Sequence, residues 1–137
     1  MGAIIKPEGV VLGEKVDLRP EECVRLNPSR LTELYVELGH RAAENVIGRA
    51  MEELAVRLGE IEAAYWESDF AQVGKRARSI IAIADQVGLN GLSLAARHVT
   101  VTAKQDAPTA IAATVARLVR MGDNSLTAVW DARDMSV

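Results

Sequence analysis

The chain has 137 residues, enough for one compact domain that buries roughly two-thirds of its unfolded surface and too few for a second. Hydrophobic residues make up 49%, charged residues 26% and aromatics only 4%, a palette of Ala, Leu, Val and Ile that suits close-packed helices. A formal charge of −3 excludes a general nucleic-acid binder, which needs a net positive field to release phosphate counterions, so any basic patch is local.

Along the chain, Pro7, Gly9, Gly13 and Pro20 punctuate short β-prone pieces such as Val10-Val11-Leu12, so residues 1–27 read as an N-terminal arm or small hairpin. Lys6, Pro7 and Glu8 interrupt the only early apolar stretch, and no segment approaches the roughly 20 apolar residues of a membrane span. Neither a signal peptide nor a membrane partner is expected. Cys23 is the only cysteine, which excludes an internal disulfide and a cysteine-based metal site and points to a reducing cytoplasm.

From Asn27-Pro28-Ser29 the signals turn helical, and residues 28–137 read as one helical domain. Leu31, Leu34, Leu38 and Ala42 share one face, whereas Val36, Ala43, Ile47, Ala50, Leu54, Leu58 and Ile61 follow another. One helix over residues 29–66 would be about 57 Å long at 1.5 Å per residue, more than a small bundle needs. Two arrangements resolve this: a break near Gly39 with two packed helices, or one long first helix whose second face meets the arm or another subunit. The second is favoured, which predicts a homodimer. The next helix runs from about Asp69 to Val87 with Val73, Ala77, Ile80, Ala84 and Val87 inward, and Gly88-Leu89-Asn90-Gly91 supplies the turn. A further helix, Leu92 to Lys104, buries Leu92, Ala95, Ala96, Val99 and Ala103. The last starts at Pro108 and runs through Ile111, Val115, Leu118 and Val119, with Met121-Gly122-Asp123 expected to end or interrupt it. Short connections make sequential helices antiparallel neighbours, so the expected fold class is all-α, an up-and-down antiparallel four-helix bundle.

Residues 50 to about 126 carry an ordered constellation. A helix ends in Glu67-Ser68-Asp69-Phe70; then come Lys75-Arg76-Ala77-Arg78-Ser79-Ile80-Ile81-Ala82-Ile83-Ala84 and the turn Gln86-Val87-Gly88-Leu89. This resembles the histidine-containing phosphotransfer (HPt) family, whose pattern is Ala-His-Ser-Leu-Lys-Gly-Ser-Ala with a hydrophobic-Gly turn ten residues past the histidine. Gly88 lies ten residues past Arg78. By that register Ala77, Ser79, Ile80 and Ala84 keep the family character, while Arg78 replaces the phosphorylated histidine, Ile81 the lysine and Ala82 the glycine. The departures fall on the chemistry. A phosphocarrier needs a neutral imidazole nitrogen to attack an aspartyl phosphate, and a guanidinium has no lone pair to offer.

Helical geometry sets Arg78 about 140° from the centre of the apolar stripe, on the solvent face. Lys75, Arg76 and Arg78 form a basic strip, and a hairpin at Gly88 brings Arg97, His98 and Lys104 alongside. The docking face expected from the resemblance is Lys75, Arg76, Ser79, Ile81, Ala82, Arg97 and His98 around the degenerate phosphosite Arg78. Ile81, at an intermediate angle, is open to a packing role instead. The implied partner is the acidic phosphorylation site of a receiver domain, or a sensor kinase, bound without phosphate acceptance.

Two other readings stand beside this one. An active phosphocarrier would use His98, on the flank of its helix, or His40, whose Gly39-His40-Arg41 setting is faintly similar to a kinase phosphoacceptor helix but whose register favours burial or an interface. Alternatively, the helices form a self-association module unrelated to phosphorelay. Glu52, Glu53, Glu60 and Glu62 read as a solvated face; Trp66 and Trp130 read as core or interface anchors. No Gly-rich phosphate loop, nucleophile elbow or metal-ligand spacing is present in the sequence, so no enzyme activity, cofactor or metal is expected.

Overall fold

The computed structural model describes residues 27–105 and 107–135, which form five α-helices with no strand among the described residues. They are α1 (Pro28–Leu38), α2 (His40–Trp66), α3 (Phe70–Gln86), α4 (Asn90–Lys104) and α5 (Pro108–Met135). The expected arm lies outside the described residues except for Asn27.

Local chemistry fixes several of the boundaries. Asn27 caps α1, its Oδ1 accepting from the Ser29 amide at 3.1 Å, with Pro28 in the first turn. Gly39, at φ 84° and ψ 166°, ends α1 and starts α2; that region of backbone space is essentially glycine-only. Asp69 caps α3 by accepting from the Gln72 amide at 3.2 Å, and Gly88 takes φ 77° in the α3–α4 turn. Pro108 opens α5.

The expectation of one long first helix is therefore corrected. Residues 28–66 form two helices broken at Gly39, and α1 folds back on α2, burying Leu31 and Leu34. The break removes the two-faced helix on which the expectation of a homodimer rested. It also explains why Leu38 and Ala42, on the Leu31 and Leu34 face of a continuous helix, are exposed. A second correction concerns α5, which runs unbroken through Met121-Gly122-Asp123. Gly122 is buried there because α5 presses on Leu58 of α2: a Cβ at this position would collide with Leu58 Cδ1 and sit 3.1 Å from Cδ2. The glycine is a packing requirement and not a stop signal.

α3 packs on α2 and on α4, and α5 packs on α4 and on α2, so these four helices enclose one core. Ile47, Leu54 and Ile61 of α2, Val73, Ala77, Ile80 and Ala84 of α3, Leu92, Ala96 and Val99 of α4, and Leu118 and Val129 of α5 have no exposed surface. The inward stripes expected for α3 and α4 are those found, with Ala103 only partly buried. At 1.5 Å per residue α2 and α5 are about 40 Å long, whereas α3 and α4 are about 22–26 Å. The excess of α2 over α3, about 15 Å at the N-terminal end of α2, lies beyond the α3–α4 turn. α1 packs in that overhang, tied to the turn by the Asn27 amide on the Gly88 carbonyl at 2.8 Å and Arg30 Nε on the Gln86 carbonyl at 2.9 Å.

Candidate functional site

The outer surfaces of α3 and α4 form the candidate site. The α3–α4 turn is three residues long, so the two helices run antiparallel, and Gly74 meets Ala103: a Cβ added at Gly74 would lie 3.3 Å from the Ala103 Cβ. That crossing sets the level of every other residue on the face. Arg78, one turn further along α3, leans back over it, its Nη1 lying 3.8 Å from the same Cβ position. Lys104 follows Ala103 and Lys75 follows Gly74. All three cations are exposed, and none forms an ion pair or hydrogen bond with a described residue. Toward the turn, Arg97 of α4 reaches Asp85 of α3 at 3.3 Å, both half-exposed. Leu94 and Val101, on the outer face of α4, are 38% and 55% exposed and add apolar surface to the charges.

The expected docking residues do not all gather there. Arg78, Lys75, Ala82 and Arg97 do, all exposed. Arg76 does not: it lies on the opposite flank of α3 and reaches Glu60 of α2 at 3.6 Å, where Arg57 also binds at 3.2 Å. Glu60 is accordingly half-buried, unlike exposed Glu52, Glu53 and Glu62. Ser79 is half-buried and its hydroxyl donates to the Arg76 carbonyl at 2.7 Å, so it serves its own helix. Ile81 is half-buried and packs against the core. His98 is exposed but sits about 100° round α4 from Arg97. That turns it toward α5, the side on which Thr102 and Thr114 share a 2.8 Å hydrogen bond, and away from Arg78.

His40 is exposed in the first turn of α2, its ring 5.5 Å from that of Tyr35, whose hydroxyl donates to Glu44. The register argument for burying it assumed a helix continuous through Gly39. Trp66, 79% exposed, and Trp130, 53% exposed, are not core anchors. Trp66 edges against Tyr65, which in turn faces Phe70 near the α2–α3 turn. Among the described residues no group of three or more His, Cys, Asp or Glu side chains is placed to hold a metal ion, and no helix is long and apolar enough to cross a membrane.

Sequence reasoning missed Gly74. Its signal was present, since a glycine four residues before Arg78 shares the same helix face, but only the Ala103 contact gives it a purpose. No protein-family model, curated protein or solved structure matches the chain.

Proposed function

We propose that α2–α5 constitute an up-and-down antiparallel four-helix bundle of the HPt type, with α1 as an added cross-piece, and that the protein is a two-component signalling accessory. It docks a receiver or kinase domain through the α3–α4 face without accepting phosphate. The observation that carries this reading is Arg78: at the register of the family's phosphohistidine, it is exposed on α3, level with α4, and has no counter-ion among the described residues. A charge left unpaired on a face that also exposes Leu94 and Val101 suits an acidic surface with an apolar centre. No described residue on the face offers a nucleophile, because His98 is turned toward α5, the ammonium groups are protonated and a guanidinium cannot attack phosphorus.

The active-carrier alternative rests on His98 and His40. Both are exposed, and among the described residues neither has the hydrogen-bonded carboxylate that would orient an imidazole for phosphoryl transfer. The experiment incubates wild type, Arg78→His, His98→Ala and His40→Ala with a panel of phosphorylated receiver domains from the same cell, reading both complex formation and acid-labile label. Complex without label on wild type supports the adaptor. Label that His98→Ala or His40→Ala removes overturns it in favour of a carrier, and neither complex nor label across the panel favours a helical module outside phosphorelay.

A further inference from the structure

Resting on the adaptor reading, we infer that the cluster of Arg78, Lys75 and Lys104 around Gly74 is a phosphoryl-binding site, and that this protein reads the phosphorylated state of the receiver aspartate. Four observations meet at one place. Lys75 and Arg78 come from α3 and Lys104 from α4, and the Gly74–Ala103 contact holds the two helices at close approach between them. All three cations are exposed and unpaired among the described residues; Arg41, Arg49, Arg117 and Arg120 share that state, but these three come from two helices that meet at one crossing, whereas Arg30, Arg57, Arg76 and Arg97 are each engaged by a carboxylate. Gly74 has no side chain, so the floor beneath the Arg78 guanidinium is bare. Asp85, the one acidic residue within α3 and α4, lies near the far end of α3 and is occupied by Arg97.

An aspartyl phosphate carries about −1.5 to −2 charge and three acceptor oxygens. A guanidinium presents two parallel donors that match two of those oxygens, and the flanking ammoniums add charge without geometric demand. The family's lysine and glycine, lost at Ile81 and Ala82 on the C-terminal side of position 78, thus have counterparts in Lys75 and Gly74 on its N-terminal side. Binding without transfer follows: the site offers donors and positive charge, and no lone pair to accept the phosphoryl group.

The test measures, by calorimetry, the affinity of wild type for each receiver of the same cell, unmodified and loaded with beryllofluoride as a stable phosphoryl mimic. Arg78→Ala, Lys104→Ala and, as a remote control, Arg120→Ala follow. The loaded form of the cognate receiver is expected to bind wild type about tenfold more tightly than the unmodified form, a ratio that Arg78→Ala or Lys104→Ala reduces to about twofold or less and Arg120→Ala leaves intact. Equal affinity for the two forms would overturn the inference and leave the adaptor reading standing; binding of neither form would overturn both. Inorganic phosphate alone is the third arm. Saturable micromolar binding of phosphate at these residues, without preference between receiver forms, would identify a free-anion site and overturn the phosphoaspartate reading.

Discussion

Two glycine-to-alanine changes within helices should move stability in opposite directions. Gly59 and Gly122 both sit inside helices, and alanine in a helix interior is favoured over glycine by about 1 kcal/mol. At Gly59 a Cβ meets nothing within 4 Å, so the full gain is available. At Gly122 the new methyl collides with Leu58 Cδ1 and crowds Cδ2; Leu58 is only 5% exposed, so it has no solvent to swing into. Overpacking of this kind costs about 1–3 kcal/mol, and a clash with two carbons of one side chain belongs at the upper end, leaving a net loss of about 1–2 kcal/mol. For a chain of this size 1 kcal/mol is about 3–5 °C in Tm. Urea titration and thermal melts followed by circular dichroism should therefore show Gly59→Ala above wild type and Gly122→Ala below it. In a Leu58→Ala background the Gly122→Ala penalty should vanish or change sign, because the colliding atoms are gone. A Gly122→Ala variant as stable as wild type, or a penalty that persists without Leu58, would refute the close α2–α5 approach.

Ser125 is fully buried in α5 and its hydroxyl has no hydrogen-bond partner among the described residues, so Ser125→Ala should stabilise by about 1 kcal/mol, measured by the same urea titration; a loss of stability would mean the hydroxyl is satisfied. Gly88→Ala should destabilise by about 2 kcal/mol or more, since alanine would meet both the positive φ and the Arg30 Cβ at 2.8 Å, and hydrogen exchange should quicken at the start of α1, which hangs on this turn. Arg97→Ala should change stability by about 0.5 kcal/mol or less, because its pair with Asp85 is half-exposed and screened, yet it should slow receiver association, an effect read by stopped-flow at two ionic strengths.

The inward faces of α3 and α4 were legible because period and burial agree: Val73, Ala77, Ile80 and Ala84 recur at helical spacing and nothing competes for that face. The break at Gly39 was visible as one of two options, and the deciding fact is long-range: Asn27 and Arg30 anchor on the α3–α4 turn, which draws α1 back across α2. Gly122 misled because a glycine inside a helical pattern reads as a stop. Its function depends on Leu58, more than 60 residues earlier, and no local signal carries that.

At the candidate site, periodicity placed Arg78 outward correctly, since a residue far from the apolar stripe has nowhere else to go. It failed for residues on the flanks. Arg76 looked like part of one basic strip with Arg78, but two positions along a helix is about 200°, and Glu60 on the neighbouring helix claims it. Ile81 and His98, also on flanks, were open for the same reason: whether a flanking side chain faces a neighbour, and which one, depends on helix order around the core, and the packing role that an intermediate angle allowed Ile81 is the one found. Trp66 and Trp130 show the converse, where size and hydrophobicity suggest burial that the helix register does not provide.

The central claim is that the α3–α4 face, centred on Arg78, is where the partner receiver binds. The most direct measurement is the calorimetric Kd of that receiver for Arg78→Glu beside Arg120→Glu, the latter at another exposed arginine, on α5, with circular dichroism showing both variants folded. The proposed site predicts at least about a tenfold loss for Arg78→Glu, a like-charge contact facing the receiver's acidic cluster, and a Kd within about twofold of wild type for Arg120→Glu. Equal losses for the two, or an unchanged Kd for Arg78→Glu, would contradict it.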